Sequence, residues 1–430
     1  MKAKPAWSLG LLVVWLTMLV PPFLIDLEAK ETFRLPKLMA SEWLALASLL
    51  LLAWQVRQAG EVRPAGLWRR PAVRALTPLL LVATATLWTT SHPVHTREAL
   101  IDLWIGAAAL VGWSLALPAP RQEELLRGLL WPAAALGLFG ILQFHGVFQP
   151  LALVGIQYDK RLAITSTAGN PGDLGAYLVL PLLIAQWLLL RMGRPRLGTP
   201  AALAVASLLL GLYAMALTQT MGAFVAVAVG SLVLWASVLP KRRVAAVLGA
   251  GMALLLVLLV AVAPLRQRVA AKVSQARQGD WSSVLTGRLD GWRAAVWMLG
   301  EHPWAGVGQG AFRPEFVPAK LALLDRGAHF DPFQMQPVFA NAHNEYLEAG
   351  AEWGIPGLLA LGWALWTLTA ALRGRRAGAE RALAGAGVAA LAVLALGHFP
   401  FRGALVGYPA LLFLAWVLRP AEEEGGEERG

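Results

Sequence analysis

The chain has 430 residues, of which 57% are hydrophobic and 15% charged, with a mean hydropathy of +0.57. Soluble domains reach about 45–50% apolar residues only when glycine is counted, so the composition excludes a water-soluble multidomain protein and demands lipid. The net charge of +11 then bears on membrane orientation rather than on nucleic acid, since cytoplasmic loops collect Lys and Arg, and the absence of cysteine excludes disulfide and thiol chemistry.

In chain order, a basic start is followed by the apolar runs Trp7–Leu19 and Phe23–Ile25, interrupted by Pro21-Pro22. No small-x-small cleavage site follows, so this reads as an uncleaved first span over 7–25. Further stretches of the 17–25 or so residues that cross a bilayer fall at 38–56, 72–89, 99–118, 124–144, 174–190, 200–217, 221–239, 244–263, 346–372, 382–397 and 404–418. The pattern predicts an all-α polytopic membrane protein of about 12 transmembrane helices. With the N-terminus inside, the basic groups Lys2/Lys4, Arg57–Arg74, Arg121/Arg127, Arg191–Arg196, Lys241–Arg243 and Arg373–Arg381 all fall in the cytoplasm, as loop charge requires. Both termini are expected inside. The expected organisation is N-terminal spans over 1–144, central spans over 145–263 with an extracytoplasmic loop at 145–173, a long extracytoplasmic loop over 264–345, C-terminal spans over 346–420 and a cytoplasmic tail at 421–430.

A loop as long as 264–345 is usually functional, and it carries helical patterns of its own. Leu265, Val269, Val273 and Ala276 lie opposite Arg266, Lys272 and Arg277, the pattern of a basic amphipathic helix on a membrane surface. Leu289, Trp292, Val296 and Leu299 form a second apolar stripe.

Three segments stand out chemically. Gly169-Asn170-Pro171-Gly172 is turn chemistry, with Asp173 able to cap the helix that follows. It is either a plain loop entering a helix, or, with Arg161, an anion site at a helix N-terminus, where a guanidinium suits phosphate. Thr286-Gly-Arg288-Leu-Asp290-Gly-Trp292-Arg293 leads to the glycine-rich turn His302-Pro-Trp-Ala-Gly306-Val-Gly308-Gln-Gly310. That turn has no Walker lysine and no strand–loop–helix setting for a nucleotide. Arg288 can pair with Asp290, meet lipid headgroups or clamp a pyrophosphate.

The third segment is Asn341-Ala-His343-Asn344-Glu345-Tyr346-Leu-Glu348-Ala-Gly-Ala-Glu352-Trp-Gly354-Ile-Pro-Gly357. Glu345, Glu348 and Glu352 recur at i, i+3 and i+7 on one helix face. Ionisable groups at a span suggest a functional cavity, and His343 is the general-base candidate beside them. An interfacial histidine with surface carboxylates is the alternative. His92 and His95 lack the carboxylate company of a metal site, and His145, His302, His329 and His398 are scattered. No metal-ligand spacing stands out, although Glu345 and Glu348 with Asp331 could bind a cation in the fold. Trp292, Trp304 and Trp353 are candidates for stacking on sugar rings.

Taken in order, Arg161…Gly169-Asn170-Pro171, Gly287-Arg288…Trp292, His302-Pro303…Gly306-Val307-Gly308-Gln309-Gly310 and His343-Asn344…Glu352-Trp353-Gly354-Ile355-Pro356-Gly357 resemble the O-antigen ligase and O-antigen polymerase superfamily over 161–360. The resemblance implies a periplasm-facing inner-membrane glycosyltransferase of lipopolysaccharide biosynthesis, needing no cofactor, metal or nucleotide. Its donor would be an undecaprenyl-pyrophosphate-linked glycan and its acceptor a glycan or lipid-linked hydroxyl, within the lipid bilayer and without nucleic acid. Arg161 and Arg288 would hold the pyrophosphate, with Arg293, Lys160 and Asn170 as further donor contacts. His343 would activate the acceptor with Glu348, supported by Asn344, Glu345 and Glu352. Many relatives carry Ser-Arg-Gly where this chain has Thr220-Met221-Gly222. Ligase and polymerase stay level, with a protein O-oligosaccharyltransferase behind; a flippase or transporter of lipid-linked sugars is the rival from another class.

Overall fold

The computed structural model describes residues 8–58, 66–150, 164–192, 198–261, 263–285, 287–328, 339–375 and 378–419, and among them every regular element is helical. In chain order these are α1 (Leu9–Leu19), α2 (Leu35–Gln58), α3 (Pro71–Ala85), α4 (Pro93–Ala116), α5 (Ala119–Gly128), α6 (Leu130–Phe144), α7 (Pro171–Met192), α8 (Thr199–Thr218) and α9 (Met221–Val238). They continue as α10 (Lys241–Ala261), α11 (Ala263–Arg277), α12 (Trp281–Val284), α13 (Arg288–Glu301), α14 (Phe312–Asp325), α15 (Glu345–Gly374), α16 (Ala379–Leu394) and α17 (Ala404–Val417).

Eight helical stretches are long and apolar enough to cross a membrane: Leu35–Gln58, Pro71–Trp88, Pro93–Ala116, Ala119–Phe144, Pro171–Met192, Pro200–Thr218, Met221–Val238 and Glu345–Gly374. The chain is an all-α polytopic membrane protein. The other predicted spans are helical as well, but α16 and α17 have 16 and 14 residues, short of the roughly 20 that a bilayer core asks for.

The chain divides into two compact units, one of residues 1–80, 101–234 and 362–430 and the other of 81–100 and 235–361. In the first, α7 is the central helix. Its sequence is apolar on every side, which is the signature of a helix buried all round rather than on one stripe. It packs against α8, α16 and α17, and 89% of its apolar window is buried, against 22–56% for the other long spans.

The second unit has its own core of Ala294, Ala295, Met298, Val307, Ala311, Phe312, Phe316, Ala319, Phe339, Ala342 and Ala351. Here the expected stripe of α13 is corrected. Gly291, Ala294, Ala295 and Met298 form the buried face, whereas Val296 is 56% exposed. Small residues let α13 approach its neighbours closely: a Cβ on Gly291 would stand 3.2 Å from the carbonyl oxygen of Ala342. Met298 is the one large side chain on that face, while Trp297 packs against the core from its flank.

The predicted span 346–372 is not one continuous helix. Within α15, Gly354 has φ 67° and ψ −163°, a break that only glycine adopts easily. The remainder, 355–374, is still long enough to cross a bilayer, while Glu345–Trp353 forms a separate short helix carrying the carboxylates.

Candidate active site

The break at Gly354 frees backbone groups that must find partners, and the glycine-rich turn supplies them. The N–H groups of Val307 and Gly308 donate to the carbonyls of Ala351 and Glu352 at 2.9 and 3.0 Å, and Ile355 N–H donates to Pro303 O at 2.7 Å. Backbone meets backbone so closely that a Cβ on Gly306 (φ 62°) would lie 2.2 Å from the carbonyl carbon of Glu352. The turn therefore acts as a clamp on the broken helix, a role its sequence did not announce. It is tied further to the start of the unit: Thr90 Oγ1 donates to Val307 O at 2.9 Å, and Gln309 N–H donates to Thr86 Oγ1 at 3.1 Å.

That clamp fixes the short helix Glu345–Trp353 and the turn before it. Asn344 caps the helix, its Oδ1 accepting from the N–H groups of Tyr346 and Leu347 at 3.0 and 3.1 Å. One turn on, Glu348 is fully buried and accepts from Asn341 Nδ2 at 2.9 Å and from the Ala342 N–H at 2.8 Å. His343 lies between these anchors with φ 55°, in the left-handed region that costs a side-chain-bearing residue about 1–2 kcal/mol. Its half-buried ring stands edge-on to Phe339, 6.0 Å between centroids. Strain of this kind persists only where the surroundings over-determine it, and it concentrates at functional sites.

The carboxylate face expected to share one task is divided between two. Glu348 grips the backbone entering His343, while Glu352, also fully buried, points Oε1 at the N–H of Phe312, 3.4 Å away at the start of α14. A carboxylate there is favoured by the helix dipole. Glu345 is half-buried at the head of α15. Trp353 is removed from the candidates for sugar stacking, because it is buried with its indole N–H on Gln309 Oε1 at 2.6 Å. Trp304, 75% exposed, keeps an open face.

Arg288 opens α13 directly after Gly287, whose φ of 79° turns the chain into the helix. Because Gly291 of that helix abuts Ala342, α13 and the His343 turn are immediate neighbours. Arg293 pairs with buried Asp290 at 3.9 Å. His92 does have carboxylate company: its Nε2 lies 2.9 Å from Glu315 Oε1 of α14. Among the described residues no group of three or more His, Cys, Asp or Glu is placed to hold a metal ion; Asp331 and His329 lie outside them.

Lys160 and Arg161 also lie outside the described residues. Asn170 belongs to the first unit, where it, and not Asp173, caps α7: its Oδ1 accepts the Asp173 N–H at 2.8 Å, and its amide donates to the Asp173 carboxylate. Asp173 also meets His398 Nε2 at 3.3 Å and Arg34 at 3.6 Å. Sequence reading left His398 among scattered histidines and passed over Arg34, since positions 34, 173 and 398 share no local pattern. Thr220 donates its hydroxyl to Pro171 O at 3.2 Å beside this cap, and Met221 is 67% exposed.

Fold and site together define a polytopic helical membrane protein in which a helix broken near its start presents a strained histidine above buried carboxylates. A family model described as O-antigen ligase matches residues 206–362, less than half of the chain but including Arg288, the glycine clamp, His343 and the Gly354 break. The match supports membership in the O-antigen ligase and polymerase family. No curated protein matches the chain.

Proposed function

We propose that the protein transfers a glycan en bloc from undecaprenyl pyrophosphate to an acceptor hydroxyl on the periplasmic side of the inner membrane. In this reading about a dozen helices cross the bilayer, both termini are cytoplasmic, and 264–345 faces outward. The acceptor oxygen attacks the anomeric carbon, its proton passes to the His343 imidazole, and the bond from that carbon to the pyrophosphate oxygen breaks with inversion. The undecaprenyl pyrophosphate departs with the electron pair. It is already a good leaving group, so positioning and anion stabilisation do most of the work, and the base adds about 10²–10⁴-fold. Arg161 and Arg288 hold the pyrophosphate, with Lys160, Asn170 and Arg293 as further contacts. Glu348 positions His343 through the 341–342 backbone, while Asn344, Glu345 and Glu352 support the short helix.

The observation that carries this reading is His343, held at φ 55° between a capping Asn344 and a buried Glu348 within the matched segment. Reconstituted protein offered lipid-linked glycan with a lipid A–core acceptor, a second lipid-linked repeat or a Ser/Thr peptide in turn should yield one product of increased mass. Glycan that only changes its side of the membrane, with no new mass, would favour a flippase instead.

A further inference from the structure

Helix α14, in the second unit, is apolar on two faces. Phe312, Phe316 and Ala319, at i, i+4 and i+7, are buried in the core of that unit. Val317, Leu321 and Leu324 repeat the same spacing roughly opposite, and are 40%, 57% and 43% exposed. The charged side chains keep clear of the middle of both faces. Arg313 and Asp325 stand at the two ends of the helix, and Glu315 and Lys320 on its flanks, with Glu315 held by His92 at 2.9 Å. Three large apolar side chains in a row on one helix mark a surface that something apolar covers.

The depth of α14 says what that is. The crossing segment 355–374 is about 30 Å long at the α-helical rise, and the hydrocarbon core of a bilayer is about as thick. Ile355 therefore marks the edge of the core. Glu352, three residues before it, points Oε1 at the Phe312 N–H, 3.4 Å away, so α14 begins beside that edge. Two exposed tryptophans adjoin the same clamp: Trp304, next to the Pro303 carbonyl that takes the Ile355 N–H, and Trp88, close to the Thr86 hydroxyl that takes the Gln309 N–H. Indoles collect where hydrocarbon meets headgroups, and a helix with an outward apolar face at that depth lies along the boundary.

We propose that α14 lies in the bilayer surface, with Val317, Leu321 and Leu324 sunk between headgroups and acyl chains, and that it anchors the His343 turn at a fixed depth. The link is a row of rings. Phe312 meets Phe316 at 6.1 Å between centroids, Phe316 meets Phe339 at 5.2 Å, and Phe339 meets His343 at 6.0 Å. A base acting beside a lipid-linked donor must keep one height above the hydrocarbon, because the carbon under attack is tethered to a lipid. That use of the anchor rests on the function proposed above; the anchor itself does not.

The test places one environment-sensitive fluorophore at Val317→Cys, Leu321→Cys or Leu324→Cys of the full-length protein, in vesicles of phosphatidylethanolamine and phosphatidylglycerol. Melting curves select the folded variants. Lipids brominated near the top of the acyl chain should quench these labels by about twofold or more, since the face is buried some 5–10 Å into the boundary, and aqueous iodide should leave them nearly unchanged. Quenching by iodide and not by bromolipid puts the face in water and overturns the proposal. Protection from both puts it against protein, such as a second copy of this chain, and overturns it equally. Leu321→Asp, or Val317→Asp where that variant does not fold, carries a charge into the boundary. It should lower kcat per folded molecule by about tenfold through misplacement of the base, with polyprenyl pyrophosphate affinity unchanged. A wild-type kcat refutes the depth-setting role. Bromolipid quenching in a protein that transfers no glycan leaves the anchor standing and refutes the function instead.

Discussion

The carboxylate of Glu348 accepts the backbone N–H of Ala342 at 2.8 Å, so a buried charge holds the peptide that leads into His343. Its second oxygen takes the Asn341 side chain. Glu348→Gln replaces one acceptor by a donor facing a donor, and leaving such a buried group unsatisfied costs about 1–3 kcal/mol. We expect a lower melting temperature and a fall in kcat of about a hundredfold, since misplacing a reacting group by about 1 Å has effects of that size. The KM for the lipid donor should barely change. A kcat per folded molecule equal to wild type would remove Glu348 from the positioning of His343.

His343→Ala and His343→Gly separate chemistry from conformation. Both remove the base, so both should lose most turnover while binding polyprenyl pyrophosphate normally. Glycine relaxes φ 55° and should be more stable than alanine by about 1 kcal/mol. Near-normal turnover of the folded alanine variant would end the general-base role.

Arg288→Ala and Arg161→Ala should each weaken donor binding by about tenfold to a hundredfold, the value of a charge-assisted contact to phosphate, with lysine a poor substitute. Titration of folded variants with polyprenyl pyrophosphate checks this; wild-type affinity in both would rule out the clamp.

The clamp on α15 makes a stability prediction independent of activity. Gly306→Ala and Gly354→Ala would drive a Cβ to 2.2 Å from the Glu352 backbone and to 2.5 Å from Pro303 O, each at positive φ. Both should collapse the yield of folded protein. Gly300→Ala and Gly362→Ala, in helices with nothing within 4 Å, should be neutral or stabilising by about 0.5–1 kcal/mol. Melting curves in detergent compare the four directly.

Orientation is testable because the chain has no cysteine of its own. Ser283→Cys should react with an impermeant thiol reagent in intact cells, and Gly378→Cys should not. The opposite pattern would place the His343 face in the cytoplasm.

The helices were legible because apolar length is a strong signal: all the long spans fall where hydropathy put them. The break at Gly354 was not, since glycine is ordinary within membrane helices and only the clamp at 303–308 reveals why the chain turns there. The buried face of α13 was misread because alanine and glycine carry little hydrophobic signal, yet they decide how near two backbones can come. At the site, the His343 and Glu348 segment was visible as a local pattern. What Glu348 grips was not, because its partners at 341–342 are backbone and amide rather than another conspicuous side chain.

The clamp also sets an order on synthesis. Val307 and Gly308 are made before Ala351 and Glu352, and Thr86 and Thr90, which hold the turn from the other side, are made long before either. The short helix bearing Glu348 cannot complete its pairing with the turn until Ile355, which donates to Pro303 O, has been made, so this half of the second unit closes late. A nascent chain stalled just short of that residue would carry every residue of the histidine turn and still lack the bond that closes the clamp behind it.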